Sequence, residues 1–227
     1  VFLATKLPSW EVRSREDCYR ILNEQLERLQ SETIDGYLLH ALKKEWWEKL
    51  KKVGVLEFLD QAIEDGRIRY AGFSFHDECE QFKAIVDSYD WSFCQIQYNF
   101  MDENIQAGTE GLDYAAEKGL GVVVMEPLRG GNLAGHVPED IQALWDRAEQ
   151  RRSPAEWALR WVWDHPEVSV VLSGMNTPAQ VEENCRIAAS AHARSLAGDE
   201  LELIEQVRQR YRERIKVDCT ACGYCMP

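Results

Sequence analysis

Short, almost uninterrupted apolar runs alternate along this chain with longer stretches whose apolar residues recur at helical spacing. The runs that read as strands are Val1–Lys6, Ile34–His40, Ile68–Ser74, Ser92–Gln97, Gly121–Glu126 and Val168–Ser173. Their cores (VFLA, YLL, VVVM, VSVVL) have the continuous apolar character of parallel strands buried on both faces. Strand starts fall roughly 25–45 residues apart, as in successive βαβ units. Two architectures carry such a repeat, an open doubly wound sheet and a closed (β/α)8 barrel. No G-x-G-x-x-G follows any of these strands, which argues against the dinucleotide-binding form of the open sheet. A barrel has eight strands in about 250 residues. The expectation is therefore an α/β chain, a (β/α)8 TIM barrel in incomplete form with about six of its eight βα units. Two further units are expected ahead of the first strand.

The helical stretches carry their own start signals. Ser14 precedes REDCYRILNEQLERL, and Ser153, Pro154 and Glu156 supply a cap, a proline at the first helical position and an acid in the first turn. Thr177, Pro178 and Gln180 repeat that arrangement, and Asp199–Lys216 reads as one charged helix. Trp157 and Trp161 read as helix packing against the sheet. The domain reading is a partial barrel over 1–190, a helical connection over 191–217 and a cysteine-bearing segment over 218–227.

Composition narrows the partners. The net charge of −13 repels phosphate backbones and excludes nucleic acid. No apolar run reaches the roughly 18 residues of a membrane span, and VFLATKLPSW lacks the features of a signal peptide. A cytoplasmic protein without a membrane partner is expected. Cys18, Cys79, Cys94 and Cys185 lie in otherwise regular segments and read as buried structural thiols.

In a parallel barrel the reacting groups sit at the C-terminal ends of the strands. Those ends carry Lys6, His40, Ser74, Gln95 with Asn99, the stretch 125–128, and the stretch 173–177. A lysine and a histidine finishing consecutive strands would be neighbours facing one pocket. Trp10, four residues past Lys6, could line that pocket, whereas Trp46 and Trp47 read as packing.

The segments ATK, DGYLLH, GRIRYAGFS, QIQYN, EPLRGG and SGMNTPAQVEEN follow one another in this order, and together they resemble the aldo/keto reductases. The resemblance covers Val1 to about Ala188. It implies hydride exchange between a nicotinamide cofactor, NADP or NAD, and a small carbonyl or alcohol substrate. Lys6 and His40 match two members of the family's Asp–Tyr–Lys–His tetrad, in which the tyrosine donates the proton. None of the eight tyrosines takes the tetrad position, so this stretch alone is expected to be inactive. Ser74 and Gln95 match residues that hydrogen-bond the nicotinamide carboxamide, although Phe75 stands where the family has asparagine. Met125 stands where many members stack a tyrosine on the nicotinamide. Pro127, Leu128, Gly130 and Gly131 match the pyrophosphate loop. Gly174, Met175, Asn176 and Thr177 lead into the helix that receives phosphate, and Glu183 and Asn184 match adenine contacts. Gly174 and Gln180 replace the lysine and arginine that grip a 2′-phosphate, which counts against NADP, and Arg186 is the one nearby cation that could substitute.

The chain then runs into Cys219-x-x-Cys222-x-x-Cys225, followed by Met226 and Pro227. This spacing matches the first three thiolates of a 4Fe-4S motif of the C-x₂-C-x₂-C-x₃-C-P type. Structural zinc would want a second ligand pair, and a thioredoxin-like pair should open a helix after a strand. A subset of the aldo/keto reductases carries a C-terminal ferredoxin-like extension, which the tail CTACGYCMP resembles; that implies a redox partner protein. The rival reading is a non-catalytic barrel scaffold with an electron-transfer or zinc-binding tail.

Overall fold

Hydrogen bonding of the strand edges sets the architecture. In the computed structural model, which describes residues 1–135 and 137–215, six strands form one sheet in the order β1-β2-β3-β4-β5-β6. The elements run β1 (Ala4–Pro8), α1 (Arg15–Leu29), β2 (Ile34–Leu42), α2 (Lys44–Lys52), α3 (Val55–Glu64), β3 (Ile68–Phe75), α4 (Cys79–Val86) and β4 (Phe93–Gln97). They continue as α5 (Gly108–Glu117), β5 (Gly121–Met125), α6 (Glu139–Trp145), α7 (Pro154–Trp163), β6 (Val168–Val171), α8 (Pro178–Ala188) and α9 (Gly198–Arg214). Strands β1 to β4 pair in parallel, each with the next in sequence. Parallel neighbours need a crossover, and the helices supply it.

The chain divides into two compact units, Val1–Ile96 with Asn104–Val123, and Gln97–Glu103 with the residues from Val124 onward. In the first, Leu7, Ile34, Leu39, Phe73 and Cys94 on the strands are fully buried, as are Leu22, Phe58 and Phe82 on the helices. Gly72 leaves no room for a side chain against the next strand. It pairs with Phe93, and a Cβ at Gly72 would lie 2.8 Å from both the Phe93 ring and its carbonyl oxygen. In the second unit, the aromatic rings of Tyr98, Phe100, Trp145, Trp157 and Trp161 form the core. Trp157 on α7 is fully buried and stacks on Trp145 of α6 at 5.2 Å. Tyr98 donates its hydroxyl hydrogen to His165 Nε2 at 3.2 Å, the tautomer required when His165 Nδ1 donates to the Trp161 carbonyl at 2.9 Å.

Three readings need correction. The first strand begins at Ala4 rather than Val1, because the Leu3 N–H goes to the Asp35 carboxylate and Val1 and Phe2 are exposed. Strand β6 is not buried on both faces. Val170 is 46% exposed, since β6 has β5 as its one sheet neighbour among the described residues. Cys185 is exposed and Cys79 half-buried, whereas Cys18 and Cys94 are buried as expected. No helix among the described residues is long and apolar enough to cross a membrane. The tail Cys219, Cys222 and Cys225 lies outside the described residues, as does Lys216.

Candidate functional site

In the first unit, strand pairing lines up four of the residues singled out above. Lys6 pairs with Leu38 and Pro8 with His40, so Lys6 and His40 share a sheet face as diagonal neighbours. Between the pairs Leu39/Phe73 and Leu42/Phe75, strand β2 carries two residues, His40 and Ala41, where β3 carries only Ser74. This bulge turns the end of β2, with Ala41 at φ 53°. The Ser74 hydroxyl fixes it by accepting the Ala41 N–H at 2.8 Å. Ser74 in turn pairs with Gln95. Lys6, His40, Ser74 and Gln95 thus cross four adjacent strands in one row.

Charge is held down along that row. Burial lowers the Lys6 ammonium below its ordinary pKa, and burial together with the Lys6 charge lowers His40. His40 therefore stays neutral near pH 7. Trp10 lies with its ring 5.0 Å from the His40 ring and is 44% exposed. Trp47 is buried, and Trp46 lies between Lys43 and Lys49. Phe75 points into the helix layer, where it meets Phe82 edge-on at 5.1 Å.

His76 did not stand out in the sequence. Burial is the main cause that pushes it down to about 4; a hydrogen bond to Gln106 opposes the shift and the His40 charge adds to it. The available signal was its spacing: two residues past Ser74, it continues the face that Ser74 occupies.

In the second unit, eleven of the thirteen residues expected to contact a cofactor, all but Ser74 and Gln95, line one cavity of about 800 Å³. Met125, Pro127, Leu128, Gly130, Gly131, Gly174, Met175, Asn176, Gln180, Glu183 and Asn184 all line it. Its size is within the range of small-molecule and cofactor sites. One wall is the turn after β5, held by left-handed Glu126 and Arg129 and by Gly131 at φ 87°, a conformation that favours glycine. The Glu126 carboxylate accepts the Gly130 N–H at 2.5 Å, so an anionic group already sits on this turn's backbone donors. The opposite wall is the entry to α8. Thr177 caps it by accepting the Gln180 N–H at 3.3 Å, Gln180 accepts the Asn176 N–H at 2.9 Å, and Asn184 donates to Ser173 at 2.9 Å. Ser153, the cap of α7, donates to Glu183 at 2.6 Å.

No lysine or arginine lines this cavity among the described residues. Arg186 turns away to Glu156 at 3.7 Å, and Arg129 is buried against Asp102 at 3.2 Å. The sequence reading had named Asn99 only as a strand-end residue and had missed Asp102 and Arg129. Together they form a buried network: Gln97 and Asn99 donate to the Asp102 carboxylate at 3.2 and 3.1 Å, and Asn99 also donates to the Glu126 carbonyl at 3.1 Å. Among the described residues there is no group of three or more His, Cys, Asp or Glu side chains that could hold a metal ion.

The sequence pattern of the Aldo/keto reductase family matches residues 1–208. The chain is 24% identical over 205 residues to an L-glyceraldehyde 3-phosphate reductase of Escherichia coli O157:H7, a match covering 75% of this chain and 58% of that protein. It is 26% identical over 207 residues to an L-galactose dehydrogenase of Arabidopsis thaliana, covering 85% of this chain and 63% of the relative. The matched region thus spans about three fifths of these relatives' length. The holo form of an aldo-keto reductase from Bacillus halodurans shares the fold with a TM-score of 0.75 and 24% identity, over 91% of this chain and 72% of that one.

Proposed function

The chain belongs to the aldo/keto reductase family, and from that premise we propose that it is part of an NAD(P)-dependent oxidoreductase exchanging hydride with a carbonyl or alcohol substrate. The observation that carries this is the gathering of eleven cofactor residues, read from the sequence alone, around one cavity. The residues fit such a group. The turn after β5 already receives a carboxylate on the Gly130 N–H, and the capped N-terminus of α8 offers a favourable end for phosphate. The lack of a lysine or arginine along the cavity favours NADH over NADPH, because Glu126 and Glu183 would face the extra phosphate.

When bound, the nicotinamide supplies the hydride. The protein's residues do the rest. Ser74, whose oxygen already accepts the Ala41 N–H, keeps its own hydrogen to donate to a carboxamide oxygen, and Gln95 pairs with it on the next strand. Neutral His40 can donate a hydrogen bond to a substrate carbonyl oxygen and so orient it. The Lys6 ammonium, next to a phenol, would lower that phenol's pKa from about 10 towards neutrality and ready it to donate the proton. The tetrad's tyrosine and aspartate have no counterpart in these 227 residues. The chain by itself is therefore expected to bind cofactor without turnover. Fluorescence titration with NADH and NADPH is the test: saturable quenching, tighter for NADH, supports the reading, and the absence of binding to both refutes it.

A second element rests on the tail. Cys219, Cys222 and Cys225 have the spacing of thiolates around a 4Fe-4S cluster, and we propose that they belong to such a segment passing electrons to a redox partner. Anaerobic purification followed by metal analysis decides it. Iron with acid-labile sulfide supports the cluster, and zinc would support an interaction tail instead.

A further inference from the structure

The turn after β5 is held by more than its own hydrogen bonds, such as that from the Arg129 N–H to the Glu126 carbonyl at 3.0 Å. Glu126 and Arg129 both adopt left-handed backbone conformations, which residues other than glycine avoid unless neighbours impose them. The neighbours are on the segment 97–103. Asn99, fully buried, grips the turn's Glu126 carbonyl, while its own side-chain oxygen accepts the Met101 and Asp102 N–H groups at 3.0 and 3.1 Å. Asp102, 1% exposed, faces the Arg129 guanidinium at 3.2 Å. Turn and segment thus share one buried polar network.

That segment is itself held from a third element. Arg208 on α9 donates through Nε to the Phe100 carbonyl, and its Nη1 lies 2.6 Å from the Glu103 carboxylate. Leu203, Ile204 and Val207 bury the same face of α9, so Arg208 reaches the segment from a packed helix rather than a mobile surface. A continuous set of contacts therefore joins α9 to the turn that lines the cofactor cavity.

We propose that Arg208 is a positioning residue for cofactor binding, coupling α9 through Phe100, Glu103 and the Asn99–Asp102 network to the turn Glu126–Gly131. This rests on the cofactor reading given above and adds to it a route by which whatever acts on α9, the helix that leads into the cysteine tail in sequence, can alter cofactor affinity. By reciprocity, cofactor binding must stabilise the contacts of α9.

The test measures NADH dissociation constants on the full chain, together with amide exchange of α9 and of residues 97–103. Arg208→Gln should weaken NADH by roughly twofold to thirtyfold, the range found for substitutions along coupled networks. Glu103→Gln, which cuts the same link at a position with a side chain 24% exposed, should weaken it in the same direction, so that the test survives if Arg208→Gln does not fold. Arg208→Lys should recover part of the loss. Arg210→Gln removes a charge from the same helix, where Arg210 pairs with Asp140 and Glu213, and should bind like the parent. NADH should slow exchange across α9 in the parent and not in Glu103→Gln. If Arg208→Gln and Glu103→Gln bind like the parent, or if Arg210→Gln weakens binding equally, the coupling is overturned while the cofactor reading stands. If the parent binds neither NADH nor NADPH, both fall.

Discussion

At the scale of single residues, Glu126 presents a contradiction that chemistry must resolve. Its carboxylate occupies the Gly130 N–H, a backbone donor on the cavity that a bound phosphate would seek. Glutamine there keeps the accepting oxygen and removes the charge. Glu126→Gln is expected to tighten NADH binding by roughly twofold to fivefold, the worth of a partly screened charge pair, with the gain shrinking as salt is raised. Titrations at two ionic strengths would show it. His76 sets a second expectation. It takes up a proton near pH 6.5 when unfolded but only at about 4 when folded. As the pH falls from 6.5 towards 4 the unfolded state therefore binds more protons and stability drops. Above 6.5 this contribution is fully present. Urea midpoints across that window should decline in the parent and decline less in His76→Gln. His76 was hard to read in the sequence because, one residue past a strand end, its spacing from Ser74 is its one signal. Lys6 and His40 were legible because each closes an apolar run.

At the scale of elements, the approach of β3 to β4 explains why GRIRYAGFS contains its second glycine. Gly72→Ala would drive a methyl group into the Phe93 ring and carbonyl, and the backbone side of that contact cannot rotate away. A loss of about 1–3 kcal/mol is expected, measured by chemical unfolding, without change in secondary structure by circular dichroism. Strand and helix positions were largely legible, since apolar runs and caps such as Ser153 and Thr177 are local signals. The bulge at His40–Ala41 was not. It depends on the Ser74 hydroxyl reaching a backbone N–H on the next strand, a contact between residues 33 apart. The turn after β5 was legible as a glycine-bearing loop, but its support by Asn99, Asp102 and Arg129 depends on burial that composition does not reveal.

At the scale of the whole molecule, the thiols divide by environment. Burial raises Cys18 to about 11 and pushes Cys94 higher still, so both remain protonated thiols at neutral pH. Cys185 on α8 is exposed. A thiol reagent at pH 8 should modify Cys185 within the native protein and reach Cys18 and Cys94 only after denaturant is added, with mass spectrometry of peptides locating each adduct. Modification of Cys94 in the native state would contradict the burial described for β4. The reading of all four as buried thiols failed at Cys185 because helix periodicity tells which residues share a face and not which face is covered.

The strand order has a consequence for how such a chain comes into being. Each strand pairs with its neighbour in sequence, β1 with β2, β2 with β3, β3 with β4, and so on to β6. During translation, then, the partner of every newly emerging strand has already left the ribosome. Synthesis at about 5–20 residues per second allows the sheet to lengthen one βα unit at a time. A chain stalled once Gln97 has cleared the ribosome would already contain the full pairing of β1 to β4 and the row from Lys6 to Gln95, with the open side of β4 as the growing edge.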